Sequence, residues 1–150
     1  MNNFSKNYNT YIGMLLKKEE LFSEYYDITK MQSEELVSNE PDVQKIGETT
    51  TQREKIIDEI NVLQKQLGEL KSGLILDGDY TGDEDKQIDE RIIELIKKID
   101  LVDKENIAAA ELWKIKFSQE AKRIANSKDG IVKYQKSNFS GGAGFLDLKQ

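Results

Sequence analysis

Ile56-Ile-Asp-Glu-Ile-Asn-Val-Leu-Gln-Lys-Gln-Leu-Gly-Glu-Leu70 decides the fold. Ile56, Ile60, Leu63, Leu67 and Leu70 recur at spacings of 4, 3, 4 and 3, the a/d pattern of a helix packed along a narrow apolar seam. Upstream the seam continues through Ile46 and Val43 to Pro41, and proline fits the first turn of a helix but not its interior. Ser38-Asn39-Glu40-Pro41 therefore reads as a stop and a restart, and a helix is predicted from Pro41 to about Lys71. Gly47 and the run Thr49-Thr-Thr51 lower its helix propensity, so a bend or fraying is expected near residue 48.

Before that break, Tyr11, Met14, Leu15, Leu21, Phe22, Tyr25, Ile28 and Leu36 repeat at helical spacing, with Thr29 and Gln32 on the same face. This predicts a first helix over residues 5 to 38. After the second helix, residues 72 to 82 hold three glycines and two aspartates and read as a connection, with Thr81-Gly-Asp-Glu84 in capping-box form. A third helix, the longest, is expected from about Asp83 to Asp129, striped by Ile88, Ile92, Leu95, Ile99, Val102, Ala109, Trp113, Phe117 and Ile124. The fold class that follows is all-α, three long antiparallel helices forming an elongated coiled-coil-like bundle. The expected division is a helical bundle over residues 1 to 129 and a flexible C-terminal tail over 130 to 150.

Composition agrees with this class. Only 37% of the 150 residues are hydrophobic, 33% are charged and one is proline, which suits solvated helices better than a deep globular core. Having neither cysteine nor histidine, the chain has no thiolate ligand or nucleophile, no disulfide and none of the commonest general base. No enzyme, cofactor or metal site is expected. The net charge of −6 argues against nucleic-acid partners and anionic membrane surfaces. No segment approaches the roughly 20 apolar residues of a membrane span, so a cytoplasmic protein without membrane insertion is expected.

Asp77-Gly-Asp79-Tyr-Thr81-Gly82 matches the opening of an EF-hand loop, but its twelfth position is Ile88 where a bidentate glutamate is needed. An acidic turn feeding a helix N-terminus explains the same residues. Gly141-Gly-Ala-Gly144 has no lysine and opens no helix, which leaves flexibility rather than phosphate binding. Trp113 at seam spacing is core or partner site on sequence grounds alone. Tyr134, Phe139 and Phe145 lie among the glycines of the tail, the composition of a docking peptide that is mobile when free, or of a segment folded back on the helices.

The order of Leu15-Leu-Lys-Lys-Glu-Glu-Leu-Phe22, Gln52-Arg-Glu-Lys-Ile-Ile-Asp-Glu-Ile-Asn-Val-Leu63 and the ending Tyr134-Gln-Lys-Ser-Asn-Phe139 with Phe145-Leu-Asp147 resembles the FlgN-like flagellar export chaperones of Gram-positive bacteria. The FliT-like chaperones are a close second. The resemblance covers most of the chain and departs from the family at Thr49-Thr-Thr51. It implies a cytoplasmic chaperone that binds unassembled hook-filament junction or filament cap subunits and delivers them to the flagellar type III export gate. By that resemblance Trp113, Phe117, Ala121 and Ile124 would contact the client helix, and Tyr134, with Phe139 and Phe145, would dock on the gate. The same exposed stripe would also serve a homodimer, and a structural coiled-coil scaffold that self-associates through its seams is the alternative function.

Overall fold

The computed structural model describes residues 3 to 80 and 82 to 126, and the side chains from Lys6 onward. It is all-α: helix α1 spans Asn3–Leu36, α2 spans Val43–Leu76 and α3 spans Glu84–Ala125. The contacts divide the chain into two compact units.

Unit 1 comprises residues up to Ile28 with Arg53–Asp100. Its core is the seam anticipated from periodicity: Tyr11 and Leu15 of α1 meet Leu67 and Leu74 of α2 and Ile88 and Ile92 of α3. A second cluster joins Leu21 to Ile56 and Ile60. Because early α1 meets late α2, those two helices are antiparallel. Arg91 on α3 makes a bidentate pair with Glu19 on α1, at 2.7 and 3.1 Å. That pair is exposed, so solvent screens it and it contributes little to stability. Burial of the large apolar side chains, on the order of 1.5–3 kcal/mol each, holds the unit together.

The second connection is shorter than the sequence suggested. α2 does not end at Lys71 but continues through Ser72 and Gly73 to Leu76. The reason is Leu74, which is 2% exposed and belongs to the core. Its burial outweighs the roughly 1 kcal/mol that a helical glycine costs. Gly78 ends the helix instead. Its φ of 72° is the left-handed conformation that favours glycine, and the Asp79 N–H donates to the Leu74 carbonyl while the Gly78 N–H donates to that of Ile75, at 2.8 and 3.1 Å. These two bonds make a Schellman cap.

Gly82 is likewise left-handed, at φ 77°, and a Cβ there would approach the Tyr80 ring at 3.2 Å. The Tyr80 hydroxyl donates to the carboxylate of Asp85, which is buried at the start of α3. The capping-box role of Thr81 lies outside the described residues.

Unit 2 comprises Thr29–Gln52 and the chain from Leu101 onward. α2 begins at Val43 rather than Pro41, because the Asp42 carboxylate caps it, accepting from the N–H groups of Gln44 and Lys45 at 3.0 and 3.2 Å. The expected bend near residue 48 is replaced by a continuous helix. Thr49 and Thr50 are buried, their hydroxyls donate to the Ile46 carbonyl at 2.9 and 2.8 Å, and both accept from the Gln32 amide at 3.0 and 2.9 Å. On α3, Asn106 is 1% exposed and donates to the Thr29 carbonyl at 3.3 Å. The buried apolar part is small, being Leu36, Ile46 and Ala110.

Two expectations follow. Leu74→Ala should cost about 2–4 kcal/mol in urea unfolding, while Ile75→Ala next to it, 55% exposed, should stay within roughly 0.5 kcal/mol. Equal losses would return residues 72 to 76 to the connection. The Tyr11 phenol is pushed up to about 12, first by burial and then by Asp85 and Asp89. A folded-state value above the unfolded 10.0 means that the unfolded chain loses its proton first, so stability falls as pH rises from about 10 towards about 12. Tyr11→Phe should flatten that fall in a pH series of melting temperatures.

Candidate functional site

The candidate client-binding residues sit at the C-terminal end of α3, within unit 2. They follow its buried line, since Asn106, Ala110, Trp113, Phe117 and Ile124 fall on one side of a helix that turns about 100° per residue. Trp113 is anchored at the top of the core. It packs with Leu36, Ile46 and Ala110, and its indole N–H donates to the Leu36 carbonyl at 2.7 Å, satisfying an acceptor in the last turn of α1. Trp113 therefore lies level with the end of α1 and, through Val43, with the start of α2.

From there α3 continues from Lys114 to Ala125, roughly 18 Å at 1.5 Å per residue. Every residue from Lys114 to Glu120 is exposed. Phe117 is 42% exposed and leans on the Trp113 ring with centroids 5.7 Å apart. The Lys116 ammonium lies over the Trp113 ring, 4.6 Å from its centroid. Ala121 and Ile124, one and two turns further, are half-buried. The four residues thus form one line with graded roles: Trp113 is tied into the core, Phe117 extends that core outward into solvent, and Ala121 and Ile124 continue the stripe.

The charges around this end are mostly basic. Lys114, Lys116, Lys122 and Arg123 outnumber Glu111 and Glu120, and Lys122 and Arg123 stand in the last turn, where the helix dipole favours cations. Arg123 hydrogen-bonds Glu120, which holds the Glu120 carboxyl below its usual range and raises the guanidinium. Chemically, the end of α3 offers aromatic and aliphatic surface bordered by cations, which suits an amphipathic partner with acidic flanks.

Tyr134, Phe139 and Phe145, the gate-docking residues expected from the sequence, lie outside the described residues. Sequence reasoning missed Asn106 and Ala110. The signal was present, because the gap in the stripe between Val102 and Ala109 leaves a seam position at 106, four residues on and three before, occupied by a polar side chain.

Elsewhere, a groove of about 700 Å³ between α1 and α3 of unit 1 is floored by Leu16 and Leu95, with rims carrying both carboxylates and cations. Among the described residues no three or more acidic side chains are gathered as metal ligands, and no helix is long and apolar enough to cross a membrane. No family model matches the chain, and neither a curated protein sequence nor a solved structure does.

The site predicts different responses along its line. Trp113→Phe keeps an aromatic ring but removes the indole donor, and should lower stability by about 1–2 kcal/mol. Phe117→Ala, at a far more open position, should cost less than about 1 kcal/mol. Urea unfolding of the two variants checks the order, and a larger loss at Phe117 would make it the deeper core residue.

Proposed function

We propose that the chain is a helix-binding chaperone, which captures an amphipathic helix of a partner protein along the end of α3 and holds it for export. The observation that carries this reading is the continuation of α3 past Trp113, where the core-side line stays apolar at Phe117, Ala121 and Ile124 but α1 has ended at Leu36. Phe117, exposed where this line leaves the packed core, presents the kind of surface that a further helix would cover.

The resemblance of the sequence to FlgN-like chaperones supplies the identity of the client within this reading: an unassembled hook-filament junction or cap subunit, carried to the flagellar export gate in the cytoplasm. Tyr134, Phe139 and Phe145 are then the gate-docking residues. The absence of cysteine and histidine supports a role in binding rather than catalysis.

The double substitution Phe117→Ala with Ile124→Ala should weaken capture of the client by about 2 kcal/mol or more, the usual loss of a buried anchor at an interface. Proteins recovered with the parent and the variant from cells, followed by titration of the recovered client, provide the measurement. Client affinity equal to the parent's, with the melting temperature unchanged, would remove this stripe from the binding site.

A further inference from the structure

α3 carries a second apolar line in unit 2. Leu101, Ala108, Leu112 and Ile115 follow one another at spacings of 7, 4 and 3, about half a turn round the helix from Asn106, Ala110 and Trp113. All four are exposed, with Leu101 at 62%, Leu112 at 61% and Ile115 at 53%. These side chains contribute nothing to the core, yet they keep the spacing of a helix-packing seam.

The line has a symmetry that selects its occupant. Leu101 and Ile115 are each seven residues from Ala108. When a second copy of α3 is laid antiparallel about Ala108, Leu101 of one meets Ile115 of the other, and the two-fold axis repeats the contact. Ala108 then faces its own copy, where its small side chain allows the axes to approach to the low end of the usual 8–10 Å. Leu112 falls beside the aliphatic stem of Glu105 of the second copy.

Charge agrees with the same register. Lys104 and Glu111 lie seven residues apart on one flank of the line, and an antiparallel two-fold pairing sets like flanks together. Centred on Ala108, it brings Lys104 of each copy within one residue of the level of Glu111 of the other, giving two opposite-charge contacts. An isologous interface of this kind is self-complementary by construction.

We propose that the protein self-associates as an antiparallel homodimer through this outer face of α3, with Ala108 on the two-fold axis. The inference does not rest on the proposed chaperone activity. It uses the side of α3 opposite Phe117, so the dimer leaves the core-side stripe open. Three large apolar side chains per copy make a small interface, of the kind that weak, transient contacts bury.

The test uses single cysteines in the full chain, which has none of its own. Under mild oxidation Ala108→Cys should give a disulfide-linked dimer. Leu101→Cys alone should not, because its copy would lie about 21 Å away along the helix, far beyond the roughly 7 Å that a disulfide spans. An equimolar mixture of Leu101→Cys and Ile115→Cys chains should cross-link again. In sedimentation equilibrium, Lys104→Glu should raise the dissociation constant about fivefold or more, and adding Glu111→Lys should restore it. Self-linking of Leu101→Cys as readily as Ala108→Cys would mean a parallel pair and overturn the proposal. A monomeric mass up to about 1 mM would do the same, and so would a failed rescue by the second charge reversal.

Discussion

The side-chain amide of Gln32 is the contact on which unit 2 depends. Its nitrogen is directed at the hydroxyls of Thr49 and Thr50, at 3.0 and 2.9 Å, and at the Ile46 carbonyl, at 3.4 Å, all buried. Each threonine hydroxyl accepts from the amide while donating to the Ile46 carbonyl, so the two amide hydrogens of one residue of α1 are matched to two adjacent hydroxyls on one turn of α2. A buried amide without partners costs on the order of 1–3 kcal/mol, so the network penalises any slip between the helices more than it strengthens the correct pairing. Asn106 extends the same logic to α3 through the Thr29 carbonyl. With α1, α2 and α3 registered by polar groups, Trp113 reaches the last turn of α1 and the end of α3 is aimed beyond it.

Unit 1 is built on the opposite principle. Its seam of Tyr11, Leu15, Leu21, Ile56, Ile60, Leu67, Ile88, Ile92 and Ile99 is apolar and follows heptad-like spacing, which is why this part of the fold was legible in the sequence. Three features were not. Leu74 stood among glycines and aspartates, and only its packing against the other helices shows that the chain stays helical to Leu76. Thr49 and Thr50 lowered local propensity, while the compensation lay in Gln32, seventeen residues or more away. Asn106 interrupted an apolar stripe, and polarity hid a position that spacing alone would have assigned to the core. In each case a tertiary partner overrode a local preference, which a local reading does not weigh.

The apolar line at the end of α3 was legible as a stripe, but not as a gradient. Spacing places Trp113, Phe117 and Ile124 together, and gives no means of separating the residue that closes the core from those that extend past it. The length of α1 makes that separation, because α1 ends level with Trp113. The outer line of α3, Leu101 to Ile115, was hidden for the converse reason: one helix carries two apolar faces, and the stronger periodicity of the core side masks the weaker one. On the proposed readings the two faces of one helix serve a partner and a second copy separately.

Native-state hydrogen exchange tests most directly the claim that the chain joins an apolar unit to one held mainly by buried polar contacts. Amides of Ile56 to Leu67 and Ile88 to Ile99 should open only with global unfolding. Those of Gln32 to Leu36, Ile46 to Thr50 and Asn106 to Ala110 should open at a free energy lower by about 2 kcal/mol or more, since the fully buried apolar side chains described there are Leu36, Ile46 and Ala110, with Val43, Ala109 and Trp113 partly buried against them. Equal protection of both groups of amides would contradict the account.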